Sequence, residues 1–276
     1  MNNNRIMWLD VAKFVAIMAV MLNHVQIILY DDYRIEYFSF FNVSLFILVM
    51  GVTSFISLSK HSSDEYYNLT KIKIKAILIP YIVATIIYYI YFHHYFHLEN
   101  IVIYLLHFNM SGVFYYVLLY IQLLIIAPVI IILLQRDCKH QIINEFVIGI
   151  VIVFIAYLTT NYSDIYGVFG AGGKLFGGTQ LILLYVGMLF GKYCLDLKLS
   201  SKINIMMAAL SIVALVAMWV LICTDESVRD PILPYNGPFG GGINPPGVSL
   251  MLMAFSTFLS VYFLCNCLDM VKKKTS

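Results

Sequence analysis

Eight long apolar stretches dominate the sequence, and each is close to the length of a helix that crosses a membrane. A helix needs about 20 mostly apolar residues to span the hydrocarbon core of a bilayer. Hydrophobic residues make up 61% of the chain and charged residues only 12%, whereas soluble domains carry about 25% charge. The sequence therefore predicts an all-α, polytopic membrane helix bundle in the lipid bilayer, a single transmembrane domain over residues 1–276. The predicted spans are 11–30, 38–58, 76–93, 114–134, 143–160, 178–194, 204–223 and 247–268.

The same composition excludes several other classes of protein. The apolar stretches lack the polar alternation of a transmembrane β-barrel. A net charge of +2 leaves no basic field for nucleic acid, so no nucleic-acid partner is expected. The five cysteines are scattered without the paired spacing of a zinc site, and no metal is expected. The first stretch follows Arg5 but lacks a small-x-small cleavage site, so we expect a retained helix rather than a signal peptide.

The basic residues predict how the chain is oriented in the membrane. With the N-terminus in the cytoplasm, the inner segments hold 13 of the 17 Lys and Arg residues, the outer loops hold 3, and Lys13 lies in the first span. Cytoplasmic loops generally carry such an excess of Lys and Arg. We therefore predict about eight transmembrane helices with both termini cytoplasmic, in a multi-pass protein of the cell membrane.

Three ionisable residues form one line along the first predicted span. Lys13 and His24 are 11 residues apart, which leaves them about 20° apart around a helix and about 16 Å apart along it. Asp10 lies within about 60° of both. Ionisable groups inside a membrane are costly and are functional candidates by default. Structural roles are also open: Asp10 and Lys13 can pair at i,i+3 while Lys13 extends to the headgroups, and His24 can hold neighbouring helices together.

These residues resemble the opening of acyltransferase family 3, polytopic membrane enzymes that O-acylate bacterial surface polysaccharides and similar acceptors. The run Trp8-Leu9-Asp10-x-x-Lys13, followed after ten residues by His24, is similar to the family's Leu-Asp-x-x-Arg and its later His. Residues 43–51 resemble the family's Pro-Leu-Phe-Phe-x-x-Ser-Gly segment. Residues 71–75 with Pro80 resemble its basic stretch before a proline at the start of a helix. Weaker similarities follow at 112–116, 184–191 and 244–246, so the resemblance covers nearly the whole chain.

The resemblance implies transfer of an acyl group, acetyl by expectation, from a cytoplasmic acyl-CoA to a hydroxyl of a cell-envelope polysaccharide or related glycan at the outer face. It implies that His24 is the catalytic base and that Asp10 supports it. It further implies that acyl-CoA (acetyl-CoA) is bound through its phosphates by Lys13, Lys73 and Lys75. Lysine replaces the usual arginine at positions 13 and 75, which keeps the charge but loses bidentate phosphate contacts. The alternative role of the basic stretch at 71–75 is to orient the chain in the membrane and to contact anionic lipids.

The surroundings of His24 are part of this prediction. Met21, Leu22, Val25 and neighbouring helices are expected to desolvate the imidazole, which favours its neutral form. Neutral imidazole is the form that accepts a proton from an attacking hydroxyl.

The predicted outer segments 94–113, 161–177 and 224–246 are rich in aromatic, glycine and proline residues. They are either flexible connections or an outward-facing lid or acceptor groove. In the second case Phe169, Tyr235 and Phe239 are candidates to stack on sugar rings. Four histidines cluster in or beside the first segment, and an interfacial role is favoured over a zinc site because no cysteine or tight carboxylate set lies nearby. They are His93, His94, His97 and His107.

A different class of function is also open from the sequence alone. A polysaccharide or lipid-linked sugar exporter (flippase) is the alternative, and a non-catalytic membrane subunit is a third hypothesis. A transporter is expected to scatter its coupling charges over several spans, whereas here one helix carries the ionisable line. This distribution favours acyl transfer.

Overall fold

The computed structural model describes residues 6–25, 28–29, 32–136, 139–162, 174–195, 197, 199–224 and 245–275, with side chains described as far as Leu268. The described residues contain helices and no β-strand. Short 3-10 turns cover Ser63–Glu65, Gly112–Phe114 and Leu175–Gly177. The α-helices, in chain order, are α1 (Met7–His24), α2 (Tyr33–Ser39), α3 (Asn42–Leu58), α4 (Tyr66–His93), α5 (Leu98–His107), α6 (Tyr115–Gln135), α7 (Gln141–Tyr162), α8 (Gln180–Tyr193), α9 (Ser201–Thr224) and α10 (Val248–Thr275).

Seven helical segments of the described chain are long and apolar enough to cross a membrane, which confirms the predicted all-α polytopic bundle. The predicted span 178–194 is shorter than expected. Its helix, α8, has 14 residues and is about 21 Å long, less than the roughly 30 Å of hydrocarbon that a span must cross. Most of α8 is buried within the protein, so its apolar composition reflects packing as much as membrane contact.

Three predicted boundaries are corrected by the structure. Helix α1 ends at His24 instead of continuing to residue 30. Helix α4 begins at Tyr66, ten residues before the predicted start, and therefore contains Pro80 in its interior. The predicted outer segment 94–113 contains a helix of its own, α5. A hydropathy pattern contains no capping or packing contacts, so helix ends are the feature that it specifies least well.

The chain divides into two compact units, one formed by residues 1–53 and 186–276 and the other by residues 54–185. The single domain expected over residues 1–276 stays a prediction.

In the first unit, α1 packs on α2 and α10, and α9 packs along α10. A buried hydroxyl pair, in which Ser260 Oγ donates to Ser211 Oγ at 3.1 Å, joins α9 to α10. Interhelical hydrogen bonds of this kind stabilise membrane helices in contact. Helices α3 and α8 approach so closely at Gly187 that a Cβ there would lie 2.2 Å from the carbonyl oxygen of Leu48.

In the second unit, α4 packs against α5 and α6. The buried Tyr66 at the start of α4 donates to Gln135 Oε1 at the end of α6, at 2.7 Å. This bond places the first residue of α4 beside the last residue of α6, so the two helices run antiparallel. The start of α8 joins this unit through Tyr185, whose hydroxyl donates to the backbone carbonyl of Glu145 in α7 at 2.6 Å.

Candidate active site

Helix α1 has a packed face and an opposite, exposed face. The packed face is built from small side chains: Ala12 and Ala16 are fully buried and Ala19 nearly so. Small residues let helix backbones approach closely where no hydrophobic driving force acts between them. Asp10, Lys13 and His24 lie on the other side, with Lys13 and His24 exposed and Asp10 partly exposed. The structure therefore keeps the predicted ionisable line together, and it places that line on the surface of the first unit.

Trp8 anchors the beginning of this line. Its ring is 6% exposed and makes edge-on contacts with Phe190 at 5.8 Å, Phe258 at 5.4 Å and Tyr262 at 5.2 Å. Such edge-to-face pairs each contribute about 0.5–1.5 kcal/mol beyond the area they bury. The indole thus holds the first turn of α1 against α8 and α10, two residues before Asp10.

Asp10 and Lys13 form the i,i+3 ion pair that their spacing allows. Lys13 Nζ lies 3.8 Å from Asp10 Oδ1, and the two side chains are 46% and 36% exposed. An exposed pair of this kind contributes only about 0–1 kcal/mol. The ammonium group therefore remains able to exchange this partner for a phosphate. Beside the pair lies a cavity of about 460 Å³ lined by Met7, Asp10, Val11 and Phe14.

The predicted surroundings of His24 are wrong. His24 is the last residue of α1 and is exposed, as is Met21 one turn before it. The Val25 N–H donates to the Met21 carbonyl and closes the last turn of the helix. Asn23 takes the inward position instead, and its side chain donates to the fully buried Ser39 of α2 at 3.3 Å. Among the described residues the imidazole is therefore exposed rather than packed, and it lies at the far end of the helix from the Asp10–Lys13 pair.

The other two predicted donor-binding residues, Lys73 and Lys75, lie in the second unit, near the beginning of α4. Two residues along a helix correspond to a rotation of about 200°, so their side chains leave opposite sides of α4. Accordingly, Lys73 is half-buried and Lys75 is exposed. Lys75 shares its face with Lys71, whose ammonium lies 6.0 Å from the centre of the Tyr67 ring. Helix α4 therefore does not present Lys73 and Lys75 to one ligand from a single face.

The motif on α1 is accompanied by similarity to a known family over nearly the whole chain. The model of acyltransferase family 3, described as an acyltransferase domain, matches residues 6–274. The chain belongs to acyltransferase family 3. No curated protein and no solved structure matches it. The family assignment confirms that the protein is a membrane acyltransferase that transfers groups other than aminoacyl groups.

The acyltransferase contains structural residues that the sequence analysis did not single out. Gly187 lies within the segment 184–191 that resembles the family, and its role is the close approach of α8 to α3. Glu145, in a predicted span, is only 7% exposed. An acid inside an apolar stretch is itself the signal that would have drawn attention to it. Asn23 directly precedes His24 in the sequence. Only the contact with Ser39 shows that Asn23 is the residue that packs and His24 the residue that is exposed.

The predicted outer segments of the acyltransferase are described only in part. Phe169, Tyr235 and Phe239 lie outside the described residues. His93 packs among tyrosines, with its ring centre 4.6 Å from that of Tyr89 and 5.8 Å from that of Tyr104. Within the described parts of the chain, no three His, Cys, Asp or Glu side chains are grouped so that they could hold a metal ion.

Proposed function

We propose that the acyltransferase moves an acyl group, acetyl in the simplest case, from a cytoplasmic acyl-CoA to a hydroxyl of a cell-envelope polysaccharide or related glycan. The observation that carries this proposal is the exposed line of Asp10, Lys13 and His24 on α1. It offers a cation for the donor at one end of the helix and a base for the acceptor at the other. The basic residues of the inner segments support a cytoplasmic side for Lys13 and a plasma-membrane location.

Binding of the donor depends on charge. Acyl-CoA carries several phosphate charges at one end of the molecule and the thioester at the end of a long flexible arm. Lys13 Nζ binds a phosphate as a point charge, and Asp10, 3.8 Å away, holds the ammonium in place until the donor arrives. The cavity beside Met7 and Phe14 leaves room for the donor next to this pair. The arm then extends along α1 towards His24, a rise of about 16 Å.

The acceptor end rests on His24. Its neutral imidazole takes the proton of the acceptor hydroxyl as the hydroxyl oxygen forms a bond to the thioester carbonyl carbon. The carbon–sulfur bond then breaks, and the imidazolium returns the proton to the departing thiolate, which leaves an ester and free CoA thiol. The position of His24 suits this role, because it is the last residue of α1, at the end of the span opposite Lys13, and is exposed among the described residues. General-base assistance of this kind is typically worth about 10²–10⁴-fold in rate.

The test is acyl transfer by purified His24→Ala protein in detergent or proteoliposomes. Labelled acetyl-CoA is supplied with candidate glycans, and both thiol release and labelled glycan are measured. We expect His24→Ala to fold and bind the donor while losing about 10²–10⁴-fold of the transfer rate. We expect His24→Gln to do no better, because an amide is not an effective base.

The matched control is Asn23→Ala, one residue earlier on the same helix. The Asn23 side chain contacts Ser39 and does not lie on the exposed face of α1. This change should therefore lower thermal stability and leave the chemical step nearly intact. If His24→Ala retains activity within about threefold of the wild type, the loss is far smaller than that expected for a base. His24 would then have no part in the mechanism. Movement of glycan across the membrane without thiol release would favour the exporter instead.

A further inference from the structure

A cavity of about 530 Å³ lies in the second unit, where α4 begins and α6 ends. It is lined on one side by His61, Ser63 and Tyr66 and on the other by the last turn of α6, and it is called the inner groove here. Tyr66 donates to Gln135, and this bond holds the two helix ends side by side. The inner groove takes no part in the proposed acyl transfer, yet its volume lies within the range of about 300–1,000 Å³ that is usual for ligand pockets.

The position of the inner groove in the membrane follows from α6. This helix has 21 residues and is therefore about 32 Å long, close to the roughly 30 Å of hydrocarbon that a span must cross. The sequence changes abruptly from apolar to polar at its end, where Gln135 is followed by Arg136. The basic residues predict that this end is cytoplasmic. The inner groove therefore lies where the acyl chains of the inner leaflet meet their headgroups.

The α6 side of the inner groove has an apolar part and a charged part on one helix face. Ile132 and Leu133 line the groove and are 48% and 40% exposed. Arg136 follows them at i+4 and i+3, the spacings that place side chains next to each other on a helix. Arg136 also lines the groove and is exposed. One turn of α6 thus presents apolar surface to an acyl chain and a guanidinium group to a headgroup.

The α4 side of the inner groove supplies polar groups. His61 Nδ1 lies 2.8 Å from Glu65 Oε2, so this carboxylate already has a cationic or hydrogen-bonding partner. The Ser63 hydroxyl is a further donor. Gln135 accepts from Tyr66 through Oε1, and the Nε2 of the same amide is a donor group. None of the described residues that line the groove is acidic, so its lining favours a negatively charged ligand.

We infer that the inner groove binds one anionic phospholipid of the inner leaflet, with its phosphate on Arg136 and an acyl chain along Ile132 and Leu133. Arginine binds phosphate oxygens through two parallel hydrogen bonds. Inorganic phosphate or the phosphates of a soluble nucleotide have the same chemistry, but they leave the apolar part of the groove uncovered. A lipid covers both parts. The bound lipid joins the loop before α4 to the end of α6, and so adds to the bond between Tyr66 and Gln135.

The test is a titration of the purified, delipidated full chain in neutral detergent with phosphatidylglycerol, in which bound lipid is counted by native mass spectrometry. We expect one lipid per chain, with an affinity that falls at least about tenfold in Arg136→Gln, because a hydrogen bond to a charged group is lost. Arg136→Lys should lose less, since it keeps the charge but not the paired hydrogen bonds. The matched control is Lys139→Gln, which removes the same charge from an exposed residue outside the groove. We expect it to change the affinity by less than about threefold, because salt screens an exposed charge.

Equal losses in Arg136→Gln and Lys139→Gln would overturn the inference, because they would indicate general attraction to basic residues. Equal binding of phosphatidylcholine would also overturn it, because that lipid has no net charge. Inorganic phosphate and acetyl-CoA are added as competitors at the concentration of the lipid. We expect neither to displace it, and displacement by either would assign the groove to a soluble phosphate compound instead.

Two further measurements separate binding from folding and from acyl transfer. The unfolding midpoint without lipid should be the same in Arg136→Gln and the wild type, because Arg136 is exposed. Added phosphatidylglycerol should raise that midpoint in the wild type and not in Arg136→Gln; an equal rise in both would contradict the site. If Arg136→Gln does not fold, Arg136→Lys decides the outcome. Lys13→Met should bind the lipid as the wild type does, so failure of the proposed acyl transfer and failure of the lipid site give separate results.

Discussion

Substitution of Gly187 should loosen the packing that supports the candidate site. An added Cβ would lie 2.2 Å from the Leu48 carbonyl oxygen and 3.1 Å from the Gly51 Cα. Ordinary contacts begin near 3.4 Å, so α3 and α8 would have to separate by roughly 1 Å at this point. Both obstructing atoms belong to helix backbone, which cannot rotate away as a side chain can. We expect Gly187→Ala to cost about 1–3 kcal/mol, the usual range for overpacking.

The effect should reach the candidate site through one aromatic contact. Phe190, one turn after Gly187 on α8, contacts Trp8 at 5.8 Å, and Trp8 holds the first turn of α1. A displaced α8 should therefore also disturb the Asp10–Lys13 pair. We expect Gly187→Ala to lower the apparent affinity for acyl-CoA in addition to lowering stability.

The measurement is the thermal unfolding midpoint of the purified protein in detergent. A loss of 1–3 kcal/mol corresponds to a fall of roughly 2–12 °C for a domain of this size class. The matched control is Gly149→Ala on α7, where the added Cβ would lie 3.3 Å from a side-chain atom of Tyr185 and needs a shift of only a few tenths of an ångström, so we expect a clearly smaller fall. Equal midpoints for the two variants and the wild type would refute the close approach of α3 and α8.

Two further predictions concern the donor site and the topology. Lys13→Met should raise the KM for acyl-CoA and weaken the salt dependence of that KM, because a point-charge contact with phosphate is screened by ions. Lys13→Arg should be tolerated. Unchanged donor binding in Lys13→Met would leave Lys13 with only its ion pair to Asp10. Reporters placed after residue 276 and between residues 135 and 142 should be cytoplasmic, and labels between 225 and 246 should react from outside. An external signal from the C-terminus would contradict the predicted number of crossings.

The sequence alone determined the class of the protein and its family. Apolar stretches of about 20 residues with few charges are sufficient for this, because helices of that length satisfy their own backbone hydrogen bonds in lipid whatever packs beside them. The motif from Trp8 to His24 pointed to acyltransferase family 3, and the family match over residues 6–274 confirmed it. The angular relation of Asp10, Lys13 and His24 also followed from the helical period alone, because side chains on one helix keep their relative directions.

The tertiary structure decided where those helices end and what surrounds the line of ionisable residues. Hydropathy does not distinguish Asn23 from His24, yet Asn23 contacts Ser39 and His24 is exposed, since α2 packs on only one side of α1. Likewise, the segment 94–113 has no apolar stretch long enough to cross a membrane, and only the bonds from Tyr81 and Asn100 show that α5 returns along α4. These features depend on contacts between residues distant in sequence, whose geometry no local pattern specifies.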